Sequence, residues 1–98
     1  MFVFENPPAL PALPFITHLA LNLRFTRQER DAIRAAETSD PDVSDALFLM
    51  RQARYIDLSH PHTRAAIQML EDKQLLSSGR ALQVLDAPIQ QVEMPPLN

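Results

Sequence analysis

The sequence contains no cysteine and a single glycine, Gly79. Without cysteine the chain can form no disulfide and has no thiolate for catalysis, and a structural zinc site is not expected. One glycine cannot make a glycine-rich phosphate-binding loop. No serine, threonine or lysine lies in a nucleophile motif either. These absences lead us to expect no enzymatic activity and no cofactor.

Long apolar runs and an excess of positive charge are also missing. The apolar stretches are far too short to span a bilayer, and the apolar start Met1–Phe4 is followed by Glu5 and two prolines, with no basic region before it. We therefore expect neither a membrane span nor a signal peptide, and synthesis in a cytoplasm. The formal net charge is −3, whereas a dedicated DNA-binding domain is usually basic.

Proline is abundant, and its nine positions divide the chain. Four prolines lie within residues 7–14 and two more are Pro95 and Pro96, whereas between Leu19 and Ala87 there are only Pro41 and Pro61. This pattern predicts an extended N-terminal arm (1–14), a helical domain (15–87) and an extended C-terminal tail (88–98). A body of about 65 residues buries only roughly 60% of its unfolded surface, so we expect marginal stability in isolation.

In the N-terminal arm, Pro8, Pro11 and Pro14 recur every third residue. This spacing is typical of a polyproline II helix, with the prolines along one edge. Two interpretations stay open: the arm is a peptide offered to a groove, or it is a stiff spacer that lies on its own domain or a neighbour.

Residues 15–25 alternate in polarity, which predicts a half-buried strand. Its predicted inward-facing residues are Phe15, Leu19, Leu21, Leu23 and Phe25. The strand needs a partner, which is either residues 55–58 of the same chain or a strand of another chain.

Capping signals mark the helices. Thr26 and Glu29 form a capping box for a first helix that ends near residue 37 or 38, and Asp40 with Pro41 begins a second. A third helix begins at Pro61 with Ser59 or His60 as its cap. A short last helix follows Ser77 or Ser78. The predicted fold is therefore mainly α: a small bundle of three to four helices with a short β element.

Two clusters resemble metal sites, and we expect neither to bind metal. His60 and His62 would need further ligands that the spacing does not provide. Asp40, Asp42 and Asp45 lack the glycine and the distal glutamate of an EF-hand loop. The simpler role for these carboxylates is at the positive end of a helix dipole.

Three arginines, Arg27, Arg30 and Arg34, fall on one side of the first predicted helix. Such a face could contact phosphate. Asp31 lies four residues after Arg27, however, and Glu29 and Glu37 interleave with the arginines, so ordinary solvated ion pairs explain the same pattern.

Residues 23–88 resemble a group of small proteins encoded in the structural modules of tailed bacteriophages. The segments that carry the resemblance are Leu23–Arg30 with Ala32-Ile33, Ile56-Asp57-Leu58 followed by Pro61 and Thr63, Gln68–Glu71, and Leu75-Leu76 with Gly79-Arg80-Ala81 and Val84-Leu85. Such relatives often have a glycine directly before the Leu-Leu pair, where this chain has Gln74. The resemblance implies a virion or assembly role and supplies no catalytic residue.

We therefore expect a bacteriophage tail-associated structural or assembly protein that acts by protein–protein docking. It would reside in the host cytoplasm during assembly and then in the virion tail, with other phage structural proteins and copies of itself as partners. The alternative is a small regulator or host-directed inhibitor that binds nucleic acid, or a nucleic-acid enzyme, through its arginine face. The residues expected to contact a partner are Phe2, Phe4, Leu10, Leu13, Phe15, Arg27, Arg30 and Arg34.

Overall fold

The computed structural model describes residues 14–95 of the chain. This part is mainly helical with one small two-stranded antiparallel sheet, as predicted. In chain order the elements are β1 (Phe15–Ile16), α1 (His18–Arg24), α2 (Arg27–Ser39), α3 (Pro41–Gln52), β2 (Ile56–Asp57), α4 (Pro61–Asp72), α5 (Arg80–Asp86) and a 3₁₀ turn (Gln91–Glu93).

Of the two partners considered for the first strand, the structure shows the one within the chain, because Phe15 lies opposite Asp57 and Ile16 opposite Ile56. The strand is much shorter than predicted, and residues 18–24 form α1 instead. The Thr17 hydroxyl caps this helix by accepting a hydrogen bond from the Ala20 N–H at 3.0 Å.

Helix α1 divides the last four of the five predicted inward-facing residues between core and solvent, while Phe15 lies in β1. Leu21 and Phe25 are buried, whereas Leu19 and Leu23 are 67% and 65% exposed. An apolar residue at every second position also places Leu21 and Phe25 about one helical turn apart, so the same pattern fits a period of two and a period of 3.6 residues. The two-residue strand β2 could not have paired with an eleven-residue strand.

The starts of the next three helices follow their local capping signals. At α2, the Thr26 hydroxyl accepts the Glu29 N–H at 3.1 Å and the Glu29 carboxylate accepts the Thr26 N–H at 2.8 Å. Asp40 caps α3 through the Asp42 N–H. Of the two caps considered for α4, the structure uses His60, whose Nδ1 accepts the His62 N–H at 3.0 Å.

The end of α4 and the start of α5 depend on two residues with positive φ, Gln74 (65°) and Gly79 (83°). The Gln74 N–H donates to Glu71 O and the Leu75 N–H donates to Leu70 O. These two bonds form a Schellman motif with Gln74 in the left-handed position, where glycine is the preferred residue. Gly79 itself precedes α5, and neither of the expected serine caps is used there.

The core lies where α4 contacts α3 and α5, with α2 packed on α3. Its largest fully buried side chains are Ile16, Val43, Ile67, Leu70 and Val84. The wider buried cluster contains residues of β1, β2 and all five helices. One core therefore joins these elements into a single unit.

The sequence predicts an extended tail from residue 88, but in its described part this segment is anchored to the domain. Glu93 O accepts the Thr17 N–H at 2.9 Å, and the Glu93 carboxylate accepts two hydrogen bonds from Arg24 at 2.8 and 2.9 Å. The same arginine donates to Val84 O and Ala87 O at the end of α5. Its cation therefore binds the negative end of that helix and the tail together.

Candidate functional site

A cleft of about 330 Å³ opens between α1, α2 and α3. We call it the arginine-rimmed cleft. Its apolar lining consists of Leu21, Phe25, Ile33, Leu47, Met50, Ile67 and Leu70, and its polar lining consists of Asn22, Arg30, Arg34, Glu37 and Arg51. Most of the apolar residues are also members of the buried core. The floor of the cleft is therefore held in place by the packing of the domain.

Helical spacing builds the two sides of this cleft. On α2, Arg30, Ile33, Arg34 and Glu37 follow each other at intervals of three, one and three residues, so they form one stripe along the helix. Leu47, Met50 and Arg51 make the equivalent stripe on α3. Each stripe places an apolar side chain toward the floor and charged side chains beside it.

The arginines at the rim are held by different partners. Arg30 donates to Phe25 O at 2.7 Å and to Asn22 O at 3.2 Å, so its guanidinium lies at the carboxyl end of α1. Arg34 pairs with Asp31, and Arg51 pairs with Glu37 across the α2–α3 contact. Three guanidinium groups against these two carboxylates leave an excess of one positive charge.

Glu37 is ionised at neutral pH. The hydrogen bond from Arg51 lowers the pKa of its carboxyl below the ordinary value, and the charge of that guanidinium acts in the same direction. The side chains of Arg34 and Arg51 are nevertheless 64% and 57% exposed. Both guanidinium groups can therefore contact a further carboxylate without any movement of the backbone.

The structure brings together two of the eight residues predicted to contact a partner. Arg30 and Arg34 line the cleft, but Arg27 is 86% exposed and is not among the described residues that line it. Phe15 is half-buried and stacks on Tyr55 with 6.2 Å between ring centroids, so it is engaged within the domain. Phe2, Phe4, Leu10 and Leu13 lie outside the described residues.

Sequence reasoning missed Arg51 and Leu47, which form the α3 side of the cleft. Both lie in a helix that was predicted, but nothing local to them indicates that this helix packs beside the arginine stripe of α2. The exposed Leu19 and Leu23 were also missed. The signal that could have found them is Thr17, an N-cap residue directly before the segment.

A larger, polar hollow of about 740 Å³ lies between α2 and the turn after α4, and its carboxylates already have structural partners. Burial alone would raise the pKa of Glu29, but hydrogen bonds from Arg80 and Thr26 outweigh it and lower the pKa. The Ala81 N–H lowers the pKa of Glu71 in the same way. Both carboxylates hold α5 against the domain, so we assign this hollow a structural role.

The histidine pair is beside a third hollow, of about 210 Å³. There His60 caps α4, and Asp57 accepts hydrogen bonds from the N–H and hydroxyl of Ser59. Within residues 14–95, no three histidine or carboxylate side chains are placed to hold a metal ion together.

The aspartate cluster at the start of α3 has a cationic partner within the protein. Lys73 pairs there with both Asp40 and Asp42.

The chain matches no protein-family model, no curated protein and no solved structure. Across residues 14–95, no helix has the length and the apolar character that crossing a membrane requires.

Proposed function

We propose that this protein is a structural or assembly component of a bacteriophage tail, and that it acts by docking other proteins at the arginine-rimmed cleft. The observation that carries this proposal is the combination of an apolar floor with a rim of three arginines. The resemblance of residues 23–88 to small tail-module proteins supports the same role. In this proposal the protein works in the host cytoplasm during assembly and then resides in the tail.

The chemistry of the cleft specifies the kind of segment that it would bind. Its volume of about 330 Å³ is at the small end of the range for ligand pockets, which is about 300–1,000 Å³. One or two apolar side chains would cover the floor, and a neighbouring carboxylate would meet the rim. The expected occupant is therefore a short apolar segment of a partner protein with an acidic residue beside it.

The energies indicate that the cleft would act together with other contacts. Burying two large apolar side chains contributes about 3–6 kcal/mol, and two exposed ion pairs add about 0.4–2 kcal/mol. Association itself costs about 4–15 kcal/mol. One cleft therefore gives weak binding, and stable docking needs several copies or a second contact, as an assembly of repeated subunits provides.

The regulator alternative has less support. A nucleic-acid face neutralises several phosphates with basic side chains. The rim of the cleft carries an excess of only one positive charge, which suits a single carboxylate better than a row of phosphates. Salt-sensitive binding of duplex DNA at low ionic strength would favour that alternative over docking.

A complementation assay tests the proposal. In the phage that encodes this chain, Leu47→Glu places a carboxylate among the rim arginines, whereas Leu82→Glu changes a 55% exposed residue on α5. We expect the first variant to reduce the yield of infectious particles strongly and the second to leave it near the wild-type level. Circular dichroism of both purified variants checks that they fold, and Arg34→Glu provides a second cleft variant.

Two results would overturn the proposal. One is a normal particle yield from both folded cleft variants. The other is the absence of the protein, by mass spectrometry, from purified particles and from tail-assembly intermediates alike.

A further inference from the structure

We propose that the arginine-rimmed cleft of one copy binds residues 2–5 of a second copy, so that the protein associates with itself by exchanging N-terminal arms. This inference rests on the proposed docking role of the cleft and names its occupant. The named segment is Phe2-Val3-Phe4-Glu5.

The chemistry of this segment matches the cleft. It places two aromatic side chains within the three residues before a carboxylate, and Glu5 is the only charged side chain among residues 1–17. The cleft offers an apolar floor beneath Arg30, Arg34 and Arg51. The phenylalanines would cover the floor while the carboxylate meets the positive rim.

The C-terminal segment offers a similar combination, but its carboxylate is already engaged. Val92 is 91% exposed and precedes Glu93. The Glu93 carboxylate accepts two hydrogen bonds from Arg24, and its side chain is only 15% exposed. Releasing it would break the anchor of the tail. Residues 2–5 are therefore the better occupant.

The stiffness of the arm favours a second copy over the same chain. Pro14 is fixed at the sheet, because its carbonyl accepts the Leu58 N–H at 2.8 Å. The nine residue steps from Glu5 to Pro14 span at most about 30 Å, which equals the width of a globule of about 80 residues, so length does not separate the two cases. Return to the cleft of the same domain needs a bend within a segment whose prolines favour a stiff polyproline II helix.

Sedimentation velocity of the full chain tests this proposal. We expect a fraction of dimers or larger species that increases between about 10 µM and 1 mM protein. Replacing both aromatic anchors (Phe2→Ser with Phe4→Ser) should weaken self-association about 100-fold or more. The matched control, Ala9→Ser with Ala12→Ser, changes the same arm outside the named segment and should have little effect.

Exchanging the charges of Arg34 and Glu5 tests whether the rim of the cleft binds the arm. Arg34→Glu should weaken self-association about 3- to 10-fold, and combining it with Glu5→Arg should restore most of the loss, because the ion pair is re-formed with its charges exchanged. Arg54→Glu reverses the charge of an exposed arginine that is not among the described residues lining the cleft, and it serves as the control. A monomeric wild-type chain at 1 mM, or equal effects of the Arg54 and Arg34 variants, would overturn the proposal.

A peptide measurement separates the failure of this inference from the failure of the docking role. Fluorescence anisotropy would compare a labelled peptide of residues 1–9 with an unrelated peptide that carries Leu-Val-Leu-Asp, using the variant with both phenylalanines replaced as the receptor. Binding of the first peptide supports arm exchange. Binding of only the unrelated peptide refutes arm exchange and leaves the docking role standing, and binding of neither refutes both.

Discussion

Glu93→Gln is the most informative single change for stability, because it keeps the shape of the side chain and removes its charge. The Glu93 carboxylate receives both Arg24 bonds at 2.8 and 2.9 Å, and the two side chains are only 15% and 7% exposed. Removing one partner of a buried pair costs about 3–5 kcal/mol. Glutamine can still accept one of the bonds, so we expect a loss of about 2 kcal/mol.

The loss should depend on pH. The hydrogen bond from Arg24 lowers the pKa of the Glu93 carboxyl below its ordinary value of 4.5, and the Gln90 N–H acts in the same direction. A group with a lowered pKa in the folded state stabilises that state above its unfolded pKa, and the stabilisation is lost as the pH falls through the folded pKa. The wild-type chain and the variant should therefore differ at pH 7 and converge in acid.

Urea denaturation followed by circular dichroism, at pH 7 and again near pH 3, measures this difference. Asp86→Asn is the matched control, because Asp86 pairs with Arg64 at 3.0 Å through side chains that are 57% and 36% exposed. We expect the control to lose less than about 0.5 kcal/mol. If Glu93→Gln unfolds at the same urea concentration as the wild type at pH 7, or differs from it equally at both pH values, the reasoning is refuted.

Three further changes test the turns and caps by the same denaturation assay. Gln74→Gly should stabilise the chain by about 0.5–1 kcal/mol, because it removes a side chain from a left-handed position; a loss of stability would contradict this. Gly79→Ala should destabilise it by about 1 kcal/mol. That cost comes from the backbone alone, since a Cβ there meets nothing within 4 Å, and an unchanged midpoint would be inconsistent with a φ of 83°. Thr26→Ala should cost about 1 kcal/mol, and the cap has no energetic role if Thr26→Ala and wild type unfold alike.

The helix starts were predictable because their signals are local. Thr26, Asp40 and Pro61 each act on backbone groups within three residues, so tertiary packing did not have to be known. The pairing of residues 15–16 with 56–57 was one of two alternatives considered, suggested by apolar alternation in one segment and a short extended segment in the other.

Other features depend on tertiary packing, which no local sequence pattern indicates. Arg24 and Glu93 are 69 positions apart, and their contact requires α1, α5 and the tail to be in place. Helix α1 was missed because an alternating run of leucines fits periods of both two and 3.6 residues. The left-handed conformation of Gln74 was not predicted from the sequence.

The candidate site could also be predicted only in part. The spacing of Arg30 and Arg34 predicted one basic face on α2, and both residues line the cleft. Arg51 and Leu47 join them only because α3 packs beside α2, so the apolar floor was not visible in the sequence. The helical spacing of the arginines therefore identified charged residues of the rim, but it did not identify the apolar floor of the cleft.

The central claim is that the arginine-rimmed cleft binds apolar segments that carry an acidic residue. Methyl NMR of the full chain, titrated with paired peptides containing Leu-Val-Leu-Asp or Leu-Val-Leu-Lys, tests it most directly. We expect the acidic peptide to shift the methyl signals of Ile33, Leu47 and Met50, to leave that of the exposed Leu82 unchanged, and to bind more tightly than the basic peptide. Shifts confined to Leu82, or equal binding of the two peptides, would contradict the claim.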